Sequence, residues 1–371
     1  MKNKENKNIQ QQRRNNNKQK ILEKCSNYDE IFSYKNLYEA FNKCKNNVSW
    51  KRSVQQYKMN LSKNTYILYK QLKERKYKSK GFVEFDICER GKPRHIKSVD
   101  FSERIVQKVL CEKSLIPLLE RSIINTNSAS QKGKGTDFAI KKLDEHIRNH
   151  IKKHGLEGYI LQFDFSSYFK NINHEKVFEI LDNIYEDKDN EVCKLAKYFV
   201  NNFGIKGLGL GSQISQILAV SYGNRLDHFI KEKLQIKGYG RYMDDGYLIH
   251  ESKEYLQYCL KEISKILEEY GIILNEKKTH IVKLTHGFTF LKIRYNITPT
   301  GKIIKKINKK NVTIMRRKLK KFKKFIDNKT MTIEDVKISV NSWLGCAKRT
   351  NSYTIIKNIK QLFYELFGFY I

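Results

Sequence analysis

The chain has 371 residues and a formal net charge of +34, from 73 Lys and Arg against 39 Asp and Glu. That length is enough for a multi-lobed protein with its own core, and the cation excess implies a polyanionic partner, nucleic acid above all. No run approaches the roughly 18 apolar residues of a membrane span, and the seven scattered cysteines contain no CxxC pair, so no membrane protein, disulfide framework or zinc site is expected.

Residues 1–24 are an Asn/Gln/Lys/Arg tract with little to bury, which predicts a disordered basic tail. Leu37, Phe41, Tyr57, Leu61, Tyr66, Leu68 and Leu72 then recur at helical spacing, so residues 25–80 read as an extension of two or three amphipathic helices. Residues 82–87 read as a strand, Lys92-Pro93-Arg94-His95-Ile96 as a basic turn into a second strand, and residues 101–120 as a helix. A Gly/Lys loop over residues 128–136 leads into the next helix. Its Lys132 and Lys134 suit a backbone phosphate, or simply line a surface loop.

An apolar strand follows and ends in Asp164, with Asn173-His174-Glu175 opening a helix. Residues 207–216 are rich in Gly, Ser and Gln and precede a helix to about residue 234. Arg241-Tyr242-Met243-Asp244-Asp245-Gly246-Tyr247 then sets two acids between apolar, aromatic runs, which predicts a β-hairpin with the acids at its turn. Past Asn308, Val312, Met315, Leu319, Phe322 and Ile326 keep one helical face apolar. Arg316, Arg317 and Lys320 are among the cations covering the rest, as a duplex-tracking surface or a solvated face. Trp343 and the aromatics of residues 363–370 close a small core. Only three prolines occur and no linker divides the chain.

Two adjacent carboxylates repel each other unless a cation neutralises them, although on its own the pair is equally an ordinary turn. Asp164 tips that balance. A carboxylate at a strand end facing a carboxylate hairpin is the arrangement that holds two Mg²⁺ ions about 3.5–4 Å apart for in-line phosphoryl transfer.

In this order the motifs resemble the reverse transcriptases of bacteria and phages over roughly residues 80–350. The match rests on Asp164 with Phe169 five residues on, the Gly/Ser/Gln segment, the Tyr242-Met243-Asp244-Asp245 hairpin and the Lys-bearing Leu274-Asn275-Glu276-Lys277-Lys278-Thr279. The resemblance implies an α+β right-hand polymerase with fingers over 81–157, a palm over 158–295 whose antiparallel sheet carries the YMDD hairpin, and a basic helical thumb over 296–371. It implies RNA-directed DNA synthesis with Asp164, Asp244 and Asp245 catalytic and Lys278 protonating the departing pyrophosphate. Two Mg²⁺ ions, replaceable by Mn²⁺, would be held by Asp164, Phe165, Asp244 and Asp245. The deoxynucleotide would meet Lys92, Arg94, Phe169, Gly211 and Gln216, with Phe169 excluding a ribose 2′-OH. Template RNA and nascent cDNA would run along Lys132, Lys134, Arg316, Arg317 and Lys320. For Lys92 and Arg94 a plain surface hairpin is the alternative, and for Phe169 a core aromatic.

Leu210-Gly211-Ser212-Gln213-Ile214-Ser215-Gln216 departs from the commoner QGxxxSP form and resembles the enzymes of diversity-generating retroelements. That implies a small basic accessory protein as partner. An antiphage-defence reverse transcriptase, with a dedicated non-coding RNA or a protein primer, is the alternative role. A non-catalytic RNA-binding scaffold is the alternative class, against which the three retained acids argue. Lys292 stands where many relatives have Gly after the Phe288-Thr289-Phe290-Leu291 segment that supports the primer end. A cytoplasmic location without membrane contact is expected.

Overall fold

Short strands pair antiparallel in every sheet of the described residues, and helices supply the rest, so the class is mixed α+β. The computed structural model describes residues 15–371 apart from Arg90 and Gly91, with the side chains of Glu89 and Lys92 also outside the described set. The chain divides into two units. One takes residues up to 133, 165–229 and 262–275; the other takes 134–164, 230–261 and 276–371.

In the first unit the expected tail is shorter than the sequence suggests. Its first fourteen residues lie outside the described set, but residues 15–26 are helical. The correction has a tertiary cause: Leu22 and Cys25 are buried, and the Ser114 hydroxyl donates 2.6 Å to the Cys25 carbonyl. Helices Tyr34–Cys44, Arg52–Met59 and Leu61–Lys73 follow and bury Leu37, Ala40, Phe41, Val54, Leu68 and Leu72; of the expected stripe, Tyr57 and Leu61 are half-buried and Tyr66 is exposed. β1 (Phe82–Glu89) pairs with β2 (Lys92–Val99) as an isolated two-stranded ribbon. The helix predicted over 101–120 runs as Phe101–Leu110, a π turn over Cys111–Leu115, and Ile116–Leu119. Pro117 has no N–H for the regular ladder, and the looser turn sits directly before it.

The second unit holds two sheets. β3 (Tyr159–Asp164), β4 (Gly238–Tyr242), β5 (Asp245–His250) and β6 (His280–Lys283) form one in the order β4-β5-β3-β6. β7 (Phe288–Phe290), β8 (Ile293–Ile297) and β9 (Ile303–Ile307) form the other. The helix Thr136–His154 presents Ala139, Ile140, Leu143 and Ile147 to a core shared with Ile160, Tyr247, Ile249, Phe290 and Tyr295. Three C-terminal helices, Lys309–Asp327, Ile333–Ala347 and Tyr353–Phe367, close on Met315, Leu319, Phe322, Val340, Leu344 and Phe363. The bundle is tied down within the unit: Asn351 exchanges backbone and side-chain bonds with Lys305, and Arg349 clasps Asp137 at 2.6 and 3.0 Å.

Two features carry measurable consequences. Leu291 and Lys292 form the two-residue turn between β7 and β8, and both take left-handed backbone, φ +44 and +70. A side chain at such a position costs about 1–2 kcal/mol, which gives a physical meaning to Lys292 replacing glycine. Lys292→Gly is expected to raise the unfolding free energy by about 1 kcal/mol, read by urea denaturation.

The second feature is His146, whose Nδ1 lies 3.0 Å from the Tyr247 hydroxyl. Burial, then the nearby Lys231 and Lys142, depress its pKa to about 4. Above its unfolded pKa near 6.5 the ring is neutral in both states. As pH falls from there toward 4, only the unfolded chain gains the proton, so stability drops by up to about 3 kcal/mol. His146→Gln should remove that part of the slope; an unchanged difference in unfolding free energy between pH 7 and pH 4.5 would refute it.

Candidate active site

β3 ends at Asp164 and β5 begins at Asp245, and these two residues are direct partners in the β3–β5 ladder. Tyr242 of β4 is the next partner of Asp245, so Tyr242, Asp245 and Asp164 stand in one row on one face of the sheet. The following row, on the opposite face, is Arg241, Gly246 and Phe163. Gly246 is required there: a Cβ would lie 2.1 Å from the tip of the Phe163 ring.

The hairpin differs from expectation by one residue. Its turn is Met243 and Asp244, while Asp245 already belongs to β5. Met243 takes φ +58, the left-handed region where glycine is usual at such a turn. Its carbonyl accepts a 2.7 Å bond from Arg241 Nη1.

Charge is concentrated here. Asp164 is 4% exposed, and its Oδ2 accepts from Lys278 Nζ at 2.6 Å. Burial, then the Asp244 charge and the hydrogen bond and charge of Asp164, push Asp245 up to about 7, with Lys278 opposing. Burial works against the Lys278 ammonium, but the hydrogen bond to Asp164 and the charges of Asp164, Asp245 and Asp244 outweigh it and raise its pKa. Among the described residues no group of three or more His, Cys, Asp or Glu is arranged as a metal cluster. The donors themselves suit a hard divalent cation, being oxygen ligands whose mutual repulsion already lifts Asp245. Phe165 opens the other unit with its ring 2% exposed, bridged to Leu274, so a cation ligand from this residue would be its backbone carbonyl and not its ring.

The remaining candidates of the first unit are Phe169, Gly211, Gln216, Arg94, Lys92 and Lys132. Phe169 is half-buried in the short helix Tyr168–Asn171, with its ring edge-on to Tyr168 at 6.0 Å. Its carbonyl accepts from the Leu208 amide at 2.7 Å. Gly211, φ +104, faces β2, where a Cβ would meet Ile96 at 3.5 Å. Gln216 is exposed on the helix Gln213–Tyr222, and Arg94 is exposed on β2 opposite Ile87. Lys92 begins β2, but its side chain is outside the described residues. Lys132 is exposed in this unit.

In the other unit Lys134 lies over the Phe138 ring at 5.5 Å. Arg316, Arg317 and Lys320 are exposed on Lys309–Asp327, where Val312, Met315, Leu319 and Phe322 are buried.

Sequence reasoning missed two sets of residues. One is the chain Ser212–Gln107–Glu103, with bonds of 2.7 and 3.1 Å, which anchors the start of Gln213–Tyr222 to Phe101–Leu110. Glu103 is 1% exposed, and burial raises its pKa despite hydrogen bonds from Ser79, Gln107 and Tyr77. The other is Arg241, whose only warning in the sequence is a cation inside an otherwise apolar strand.

The family profile for the reverse transcriptase (RNA-dependent DNA polymerase) domain matches residues 75–295, more than half of the chain. The chain belongs to the reverse transcriptase family. That match takes in Asp164, the YMDD hairpin and Lys278, and leaves the three C-terminal helices outside it. No curated protein matches the chain.

Solved structures similar to this reverse transcriptase include three of telomerase, from two Candida species. That of Candida albicans in complex with a TWJ fragment of telomeric RNA is 14% identical, with 66% of this chain and 51% of that chain covered and a TM-score of 0.48. Apo telomerase from Candida tropicalis truncated from its C-terminal domain is 17% identical over 60% and 54%, TM-score 0.46. Apo telomerase from Candida tropicalis is 16% identical over 78% and 63%, TM-score 0.46. The chain thus spans between about half and two thirds of the telomerases it matches. No helix among the described residues is long and apolar enough to cross a membrane.

Proposed function

We propose that this chain copies an RNA template into cDNA from deoxynucleoside triphosphates, in a right-hand layout of fingers, palm and thumb. The observation that carries this is the Asp164–Asp245 cross-strand pair with Asp244 beside it in the turn, inside a reverse transcriptase domain. Asp164, Asp244 and Asp245, with the backbone carbonyl of Phe165, would hold Mg²⁺, or Mn²⁺ in its place. When bound, such a cation activates the primer hydroxyl and offsets charge on the leaving pyrophosphate.

The chain's own residues do the rest. Lys278 keeps its proton at neutral pH because acids surround it, and it is the general acid that protonates pyrophosphate. Phe169 stands against the sugar and rejects a 2′-OH. Arg94 and Lys92 neutralise the triphosphate, and Gly211 and Gln216 lie along the nascent base pair. Lys132, Lys134, Arg316, Arg317 and Lys320 bind nucleic-acid backbone; the last three form no ion pair among the described residues, which leaves their charge for phosphates.

Purified protein should extend a DNA primer on RNA with Mg²⁺ and deoxynucleotides and lose this on Asp244→Ala. Absence of incorporation across varied templates and primers would favour a non-catalytic RNA-binding scaffold. For biological role, the Leu210-Gly211…Ser215-Gln216 form favours a diversity-generating retroelement with an accessory protein over antiphage defence with a dedicated RNA. Sequenced cDNA with errors concentrated at template adenines supports the first; faithful or homopolymeric cDNA supports the second.

A further inference from the structure

Arg241 is 1% exposed, and among the largest fully buried side chains it alone carries a charge. A guanidinium withdrawn from water is tolerated only where its N–H groups are used. Its Nη1 donates to the Met243 carbonyl at 2.7 Å. That carbonyl belongs to the peptide joining Met243 to Asp244. Met243 itself is held at φ +58, a conformation that a residue with a Cβ leaves when nothing holds it. Arg241 also leaves β4 on the face opposite Tyr242, Asp245 and Asp164, so it reaches the turn from behind the carboxylates rather than from among them.

We propose that Arg241 is a positioning residue for synthesis: its charge-assisted bond fixes the Met243–Asp244 peptide plane, and with it the direction of the Asp244 carboxylate and the start of β5 at Asp245. It touches neither substrate nor cation. Alternation along the strand makes this economical, because the residue that braces the turn and the residue that works in it sit on opposite faces of one short hairpin.

The inference rests on Asp164, Asp244 and Asp245 being the working acids, so the test begins with wild-type primer extension on RNA; failure there overturns that reading, not this one. With activity in hand, Arg241→Met is compared with wild type in single-nucleotide incorporation, its fold checked by circular dichroism and thermal melting. The expected result is a kcat lower by roughly 10- to 100-fold, a KM for deoxynucleotide changed less than about twofold, and a higher Mg²⁺ concentration for half-maximal rate.

Arg241→Ala, which vacates the guanidinium site, should regain turnover with millimolar guanidinium but not with equal urea. Wild-type kcat in folded Arg241→Met overturns the proposal. So does a loss that vanishes at lower assay temperature, since that would mark a purely stabilising residue. Should Arg241→Met fail to fold, Arg241→Lys carries the test, because its ammonium offers one bond of different reach. An Mg²⁺ requirement unchanged in Arg241→Lys would likewise overturn it.

Discussion

Asp164→Asn and Asp244→Ala each lower primer extension by on the order of 10³-fold or more, with the fold intact. On the proposed two-cation reading, each change removes an oxygen ligand for a cation that would offset charge in the transition state, worth several kcal/mol. Neither change leaves an uncompensated buried charge, since Lys278, the partner of Asp164, is 51% exposed. Activity equal to wild type in either variant would refute the assignment. Asp245→Asn separates chemistry from stability. The carboxylate is lifted to about 7 by burial and by its acidic neighbours, so removing its charge relieves strain that folding must overcome. In buffer with EDTA this variant should be more stable than wild type by on the order of 2 kcal/mol, while its extension activity is lost. Added Mg²⁺ should narrow the stability gap, because a bound cation relieves the same repulsion in the wild type. A gap indifferent to Mg²⁺ would count against cation binding at these acids.

The second large effect is on sugar choice. Phe169→Ala should raise the use of ribonucleotides relative to deoxynucleotides by on the order of 10²-fold, measured as the ratio of kcat/KM values. The ring is half-buried and its one aromatic partner among the described residues is the edge-on Tyr168, so truncation leaves the helix Tyr168–Asn171 standing. Unchanged discrimination in an active variant would return Phe169 to the role of a core aromatic.

Much of this protein was legible before any coordinates. The apolar stripe Val312, Met315, Leu319 and Phe322 is buried along Lys309–Asp327, as its spacing requires. The hairpin flanking Asp244 and the strand ending in Asp164 are where short apolar runs bounded by acids placed them, because both patterns are local. Boundaries were less legible. Helical residues 15–26 meet distant partners that composition cannot reveal, Ser114 at the Cys25 carbonyl and Asn190 at the Ser26 carbonyl. The one-residue shift of the turn depends on the β4–β5 register and on Arg241.

The sequence by itself determined the chemistry available: three acids, a Lys-bearing segment and a cationic helix, all set by residue type and short spacing. Only the tertiary structure decided which of these meet. It set Asp164 across from Asp245, brought the Lys278 ammonium onto Asp164, and buried Arg241 behind the turn. The reason is that cross-strand register and burial come from contacts between segments far apart in the chain, whereas periodicity reports only what one segment asks for.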